Sequence, residues 1–260
     1  MRASQIVKVL AFILAGGVAL ALLLEFGSRM LDWRHGGSAD ADRGPPAKQV
    51  RNLEAFDAIE LRSKADIEVT VGGSQTVTVE ADAHTLSQLE TRVEGHTLMV
   101  DAGDGRGDWK GDSGTHVHFS IGHDGPTSHI TITVPALTAL RVLGAGRFVL
   151  HQLKGAQFTF EVKGAGVLVA DGAVDALTLD VKGAAKVDTS ALQAKSVDVT
   201  IGGAGSATVR AQDAVTARVE GIGRVIYLGN PPTVVKRVSG LGMIRAGTAD
   251  ESPLPGSSGG

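Results

Sequence analysis

The chain reads as an all-β protein: a right-handed parallel β-helix or related β-solenoid of about six coils of 18–20 residues, preceded by one apolar helix. Three observations predict this. Short glycine turns recur at a near-constant spacing through the second half of the chain. Apolar and polar residues alternate on both sides of each turn. Helical periodicity is nearly absent beyond the first thirty residues.

The first element is the apolar run Val9 to Leu24, VLAFILAGGVALALLL, preceded by Arg2 and Lys8. Extended back to Ile6 it has about 19 residues, enough to cross a hydrocarbon core of ~30 Å as a helix. A cleaved signal peptide and an uncleaved anchor both begin this way. A small-x-small cleavage site is expected after the apolar core, whereas Ala19-Leu20-Ala21 lies inside it, which favours the anchor for residues 1–26. Basic residues ahead of the helix keep the amino terminus in the cytoplasm and place the rest outside, in a periplasm or at a cell surface. Residues 27–50, with Gly36-Gly37 and Pro45-Pro46, read as a polar linker. Residues 248–260, ending SPLPGSSGG, read as a disordered tail.

Residues 51–135 form an N-terminal β part. Alternation in Ile67-Glu68-Val69-Thr70-Val71 and in Val77-Thr78-Val79 predicts two strands joined by a Gly72-Gly73 turn. Leu98-Met99-Val100 and His129 to Val134 predict two more, separated by a Gly- and Asp-rich insertion at 103–114.

Residues 136–247 carry the repeats. The turns are Gly144-Ala145-Gly146, Gly164-Ala165-Gly166, Gly183-Ala184-Ala185, Gly203-Ala204-Gly205, Gly221-Ile222-Gly223 and Gly240-Leu241-Gly242. Two residues before each stand Val142, Val162, Val181, Ile201, Val219 and Val238. Four before stand Leu140, Phe160, Leu179, Val199, Ala217 and Lys236. Four after the first glycine stand Phe148, Leu168, Val187, Ala207, Val225 and Ile244. The residues between include Arg141, Glu161, Asp180, Thr200, Arg218 and Arg237. Period-2 alternation of this kind puts one side of each strand in a core and the other in water. One coil cannot bury its apolar side alone, whereas coils stacked at ~4.8 Å share a continuous core. The glycines are expected to allow positive φ and close backbone approach at the corners, where a side chain would clash with the coil above. Lys236 in an inward column marks the last coil as distorted or as a cap, and exposed coil ends invite self-association.

Composition narrows the function classes. The 260 residues carry a net charge of −3 with no basic stripe, which argues against nucleic acid. Cysteine is absent, which excludes disulfides, thiolate chemistry and a lipid-bearing cysteine.

Candidate chemistry is sparse. Asp104, Asp108 and Asp112 offer carboxylates for calcium, but their spacing matches neither an EF-hand nor the nonapeptide repeat, and a solvated loop is the simpler account. His116 and His118 share a strand face near His123, Asp124 and His129, a set that can ligate zinc or copper, although solvent-facing strand histidines are the simpler account. Asp171, Asp175, Asp180 and Asp188 fall in successive coils. A glycosidase needs two carboxyls held ~5–9.5 Å apart across a groove, and few aromatics, Tyr227 aside, stand on the array to stack sugars. No catalytic, cofactor or metal residues are assigned, and the chain is read as a non-enzyme.

The ordered combination of motifs resembles the head GIN domain family, also called putative auto-transporter adhesins. The motifs are Phe56-Asp57-Ala58-Ile59-Glu60-Leu61, the segment Asp66 to Asp82, Val93 to Leu98, Ile132 to Leu137 and the G-x-G turns. The likeness spans about Phe56 to Gly247, and Ala185 departs from it where a second glycine is usual. It implies a bacterial β-solenoid outside the cytoplasm and supplies no catalytic residues. The combined expectation is a single-pass inner-membrane protein with its β domain in the periplasm, or one secreted after signal cleavage. It would act as a non-catalytic binding, adhesion-like or structural module whose partner is an envelope protein or glycan. The alternatives are a carbohydrate-active β-helix enzyme and a membrane-coupled envelope-stress or regulatory protein.

Overall fold

The computed structural model describes residues 45–102 and 128–248. The apolar run, most of the linker, the insertion with Asp104, Asp108, Asp112, His116, His118, His123 and Asp124, and the tail beyond Thr248 lie outside the described residues. Among the described residues no helix is long and apolar enough to cross a membrane.

Four long strands make the body: β9 (Ala145–Val162), β10 (Ala165–Val181), β11 (Ala184–Ile201) and β12 (Ala204–Val219). Each runs from one glycine corner to the next and pairs in parallel with its neighbours along nearly its whole length. Pairs such as Leu168↔Phe148 and Leu179↔Phe160 put like columns in register, as the alternation predicts. Each strand also changes direction at a second, looser corner. Register shifts occur there, at Ala170/Gly172 and Thr189/Gln193. Gln152 (φ 56°) and Gly172 (φ 123°) adopt the left-handed conformation at this corner.

The sharp corners show the expected close backbone approach but not the positive φ: none of their glycines has positive φ, and the requirement is steric. A Cβ on Gly164, Gly183, Gly203, Gly221 or Gly240 would stand 1.9–2.0 Å from the carbonyl oxygen of the corner glycine one coil earlier. That same oxygen accepts a hydrogen bond from the next residue of the new coil: Ala165 N to Gly144 O, Ala184 N to Gly164 O and Ala204 N to Gly183 O, each 2.9 Å. The rungs lock through these carbonyls, which leaves no room for a side chain. Ala185 is tolerated at the second position, where it is buried; a Cβ on Gly166, at the same position one coil earlier, would meet the edge of Phe148 at 3.3 Å and Gly146 O at 3.7 Å.

The stack starts earlier than the glycines indicate. β2 (Ala58–Leu61) pairs in parallel with β8 (Ala139–Val142), and β3 (Ala65–Val71) pairs in parallel with β9. Their corner, Arg62-Ser63-Lys64, sits beneath Gly144, and Ala145 N donates to Ser63 O at 3.1 Å. The motif from Phe56 to Leu61 is therefore part of the first rung. Gly72-Gly73 does not close a simple hairpin. β4 (Thr76–Asp82) and β3 are separated by β7 (Ser128–Val134), which is antiparallel to β4 and parallel to β3. Sequence neighbours read as a pair because long-range insertion of a strand leaves no local mark.

Beyond this rung β5 (Leu89–Glu94) and β6 (Thr97–Ala102) extend one side. β1 (Pro46–Arg51) pairs with β4 on the other, so the stretch read as linker contributes a strand from Pro46. A short helix, α1 (Ala83–Gln88), is capped by Asp82, whose carboxylate accepts from Thr85 N at 2.9 Å and Thr85 Oγ1 at 2.8 Å.

The far end is closed by β13 (Ile222–Leu228), β14 (Thr233–Val238) and β15 (Leu241–Ala246), with β14 on the second half of β12 and β15 on β13. The solenoid has about five turns rather than six, and the last corner leads only to the terminal strand β15. The inward columns form one core. Phe148, Phe158 and Phe160 fill its first full coil, with Phe148 and Phe160 edge-to-face at 6.3 Å, and Ala207, Ala211 and Ala217 fill a later one. At the end the pattern breaks: Lys236 is exposed and lies 4.7 Å over the ring of Tyr227, which makes it a lid on the last inward column.

Candidate functional site

The outward residues of the corner-leading strand halves form the most organised polar surface. Because rungs are in register, side chains of one column stand one above the next, and long charged ones reach across the gap. Glu60, only 6% exposed, accepts from Arg62 Nε at 2.7 Å and from Arg141 at 3.2 Å. Arg141 continues to Glu161 at 2.9 Å, and Glu161 meets Lys182 at 3.1 Å and Lys163 at 3.5 Å. Lys182 ends the run on Asp180 at 2.7 Å. Seven charged groups thus bridge four successive strands.

Their titration reflects the network. Partial burial pushes the Glu161 carboxyl up, but the Lys182 hydrogen bond and the charges of Lys163, Lys182 and Arg141 outweigh it, and its pKa lies below the ordinary value. Burial likewise lowers Arg141, and its bonds to Glu60 and Glu161 more than reverse this. Lys182 is raised by its hydrogen bonds to Asp180 and Glu161.

Threonines continue the face. Thr159 and Thr178 stand beside the network, and Thr200 separates it from a second pair, Arg218 on Asp198 at 3.0 and 3.2 Å. Beyond Arg218 a shallow hollow is lined by Glu220, Arg237 and Ser239.

The carboxylates considered for glycoside chemistry are each engaged separately. Asp171 accepts from Gln152 N and lies 2.8 Å from His151 Nδ1, tying the loose corner. Asp175 pairs with Lys195 at 2.7 Å, which holds the lysine above its usual pKa. Asp180 binds Lys182, and Asp188 accepts from Ser190 Oγ at 2.6 Å. Asp175 and Lys195 line a shallow groove with Gln193 and Gln212 along the loose corner. His129 lies 3.9 Å from Glu68, and among the described residues no group of histidine and carboxylate is arranged to hold a metal ion. Tyr227 faces the core end rather than a sugar-stacking surface.

Sequence periodicity located Arg141, Glu161, Asp180, Thr200 and Arg218 in one outward column. It missed Glu60, Arg62 and Lys182 as their partners. The alternation Ile59-Glu60-Leu61, matching Leu140-Arg141-Val142, was the available signal.

Fold and face together define a class: a parallel β-solenoid with an ion-paired polar face. Residues 55–231 match the family described as "Putative auto-transporter adhesin, head GIN domain", and the chain belongs to that family. No curated protein matches it in sequence. Among solved structures, a putative adhesin from Bacteroides fragilis aligns at 18% identity and TM-score 0.57, over 78% of this chain and 97% of that one. A putative lipid binding protein from Parabacteroides distasonis aligns at 19% and 0.45, over 79% and 98%. A putative adhesin from Parabacteroides merdae aligns at 16% and 0.44, over 79% and 97%. The first of these shares the solenoid fold.

Proposed function

We propose that the chain is a non-catalytic, adhesion-like binding module of the bacterial envelope, held at the inner membrane by its apolar N-terminal segment with the solenoid in the periplasm. The observation that carries this reading is the ion-paired face. Its charges are fixed by contacts between rungs, so it presents a set pattern with a ~4.8 Å repeat at little entropic cost on binding. A surface of this kind gains affinity from many weak polar contacts with an extended protein or glycan, not from one enclosing pocket. Membership of an adhesin-like family supports the same reading, as does the separate engagement of Asp171, Asp175, Asp180 and Asp188.

The test is binding of the purified chain to arrays of envelope glycans and proteins, with and without calcium. Thr178→Arg and Thr200→Arg place bulk in the middle of the face without removing an ion pair. A saturable partner lost in both variants supports the face as the binding surface. A partner retained in both, or lost only on removing calcium, moves recognition elsewhere. Fractionation of cells tests the anchor: the chain is expected with the inner membrane, and recovery in the soluble periplasm or medium overturns it.

A further inference from the structure

Along one outward column the registered neighbours are Glu60, Arg141, Glu161, Asp180, Thr200, Arg218 and Arg237. Up to Thr200 every charge meets an opposite one, in the column or from the corner beside it. The last step breaks this rule. Arg218 and Arg237 are direct neighbours on β12 and β14, strands ~4.8 Å apart, and like charges set opposite each other destabilise a strand pair.

The groups around this step also have unused hydrogen-bonding capacity. Asp198 takes up the charge of Arg218 but meets Nη1 alone, which leaves Nε and Nη2 without a partner. Among the described residues, the Arg237 and Glu220 side chains and the Ser239 hydroxyl make no hydrogen bond or ion pair. All four residues line one open hollow of about 440 Å³, with the half-exposed Val238 on its wall. That volume is in the range of small-molecule sites.

These groups specify a guest. The planar fork of an arginine matches a carboxylate. Around the hollow β13, β14 and β15 carry Arg224, Lys236, Arg237 and Arg245 and no carboxylate, so this end of the stack favours an anion. Glu220 restricts which anion. Its carboxylate repels a compact multiply charged ion such as phosphate, yet accepts readily from hydroxyls. A guest must therefore put its negative group on Arg237 and its O–H donors on Glu220. Val238 offers methyl groups to an apolar ring face. A sugar bearing a carboxylate meets all three demands.

We propose that the hollow is a subsite for one carboxylate-bearing sugar of an acidic glycan. The sugar carboxylate pairs with Arg237 beside the remaining N–H groups of Arg218, and its hydroxyls bond to Glu220 and Ser239. This inference rests on the reading of the polar face as a binding surface and names the class of glycan it takes.

The experiment is calorimetric titration of the full chain in nonionic detergent. The probes are oligomers of galacturonic acid and of glucuronic acid, each also as its methyl ester, and inorganic phosphate. At least one acid is expected to saturate the chain. Its ester is expected to bind about tenfold or more weakly, the loss of one charge-assisted hydrogen bond, and phosphate not to bind. Arg237→Gln is expected to bring the acid down to the level of the ester and leave the ester unchanged. Glu220→Gln is expected to admit phosphate. Both side chains are exposed, and unchanged melting checks that the variants fold. An ester bound as tightly as its acid, or an acid indifferent to Arg237→Gln, overturns the subsite. So does phosphate binding to the wild type, which marks a bare anion site, or the failure of both acids to bind. The broader reading of the face fails separately, when a partner found on the arrays is retained in both Thr178→Arg and Thr200→Arg.

Discussion

Replacing Gly183 by alanine adds one methyl group to a surface corner, where most substitutions are nearly neutral. Here the new Cβ would stand 2.0 Å from Gly164 O and 2.4 Å from Lys163 O, both backbone atoms of the coil beneath. Non-bonded carbon contacts lie near ~3.5 Å, so the coils must part by about 1.5 Å at a rung spacing of ~4.8 Å. The bonds at risk are Ala184 N to Gly164 O at 2.9 Å, and Lys182 N and Gly183 N to Val162 O at 2.8 and 3.0 Å. At about 1 kcal/mol each, their loss costs about 3 kcal/mol. Gly202, beside the next corner, is the control. A Cβ there meets nothing nearer than Val181 O at 3.9 Å, and its φ is not in the left-handed region. Gly202→Ala should be neutral or stabilising by up to about 1 kcal/mol, because alanine restricts the unfolded chain more than glycine does. Urea unfolding of the two variants beside the wild type measures the gap. Unfolding free energies that agree within about 0.5 kcal/mol of each other would refute the carbonyl-lock explanation of the glycine column.

Other expectations follow from the same geometry. Glu161→Gln should cost about 1 kcal/mol at pH 7 in a thermal melt, less in high salt, because three cations lose one carboxylate. The folded-state pKa of Glu161 is depressed, so its contribution is complete above the unfolded carboxylate pKa of ~4.3 and is lost as pH falls through the lower folded value. The wild-type and Glu161→Gln melting curves should therefore converge in acid, and a gap that widens there contradicts the assignment. Phe160→Ala empties a fully buried position against Phe148 and should cost about 3–5 kcal/mol by urea denaturation. Asp82→Ala should cost about 1 kcal/mol, with Asp82→Asn retaining most of the stability, as expected for a helix cap.

The inward columns from Leu140 to Val225 were legible because a parallel stack repeats residue type as well as spacing. The corner glycines were legible as positions and as points of close approach between coils, but the atom that excludes a side chain was not: a carbonyl rising from the coil beneath has no trace in the local sequence. The first rung escaped detection for the complementary reason. Ser63 starts the corner column, with no described corner carbonyl beneath it, so no glycine is required there to betray the turn. The insertion of β7 between β3 and β4 joins residues some sixty positions apart, and local alternation carries no information on such pairing. Of the polar face, the column from Arg141 to Arg218 was readable. The ladder needed Glu60 and Lys182, which belong to a neighbouring rung and a neighbouring column, and only coordinates bring them together.

The two kinds of corner divide the labour of evolutionary change. Successive sharp corners, Gly144, Gly164, Gly183, Gly203, Gly221 and Gly240, are separated by unequal stretches of chain, yet their backbone bonds are nearly identical from coil to coil. The surplus or missing residues are taken up at the loose corner, where the register shifts. The long excursion from Gly72 to Thr138 leaves and rejoins the stack without disturbing the pairing of Leu61 with Val142 or Ile67 with Phe148. One edge of the molecule therefore serves as a fixed spine while the other is open to drift. Segments conferring new recognition can be spliced in there, one coil at a time, and grafts by design should follow the same edge.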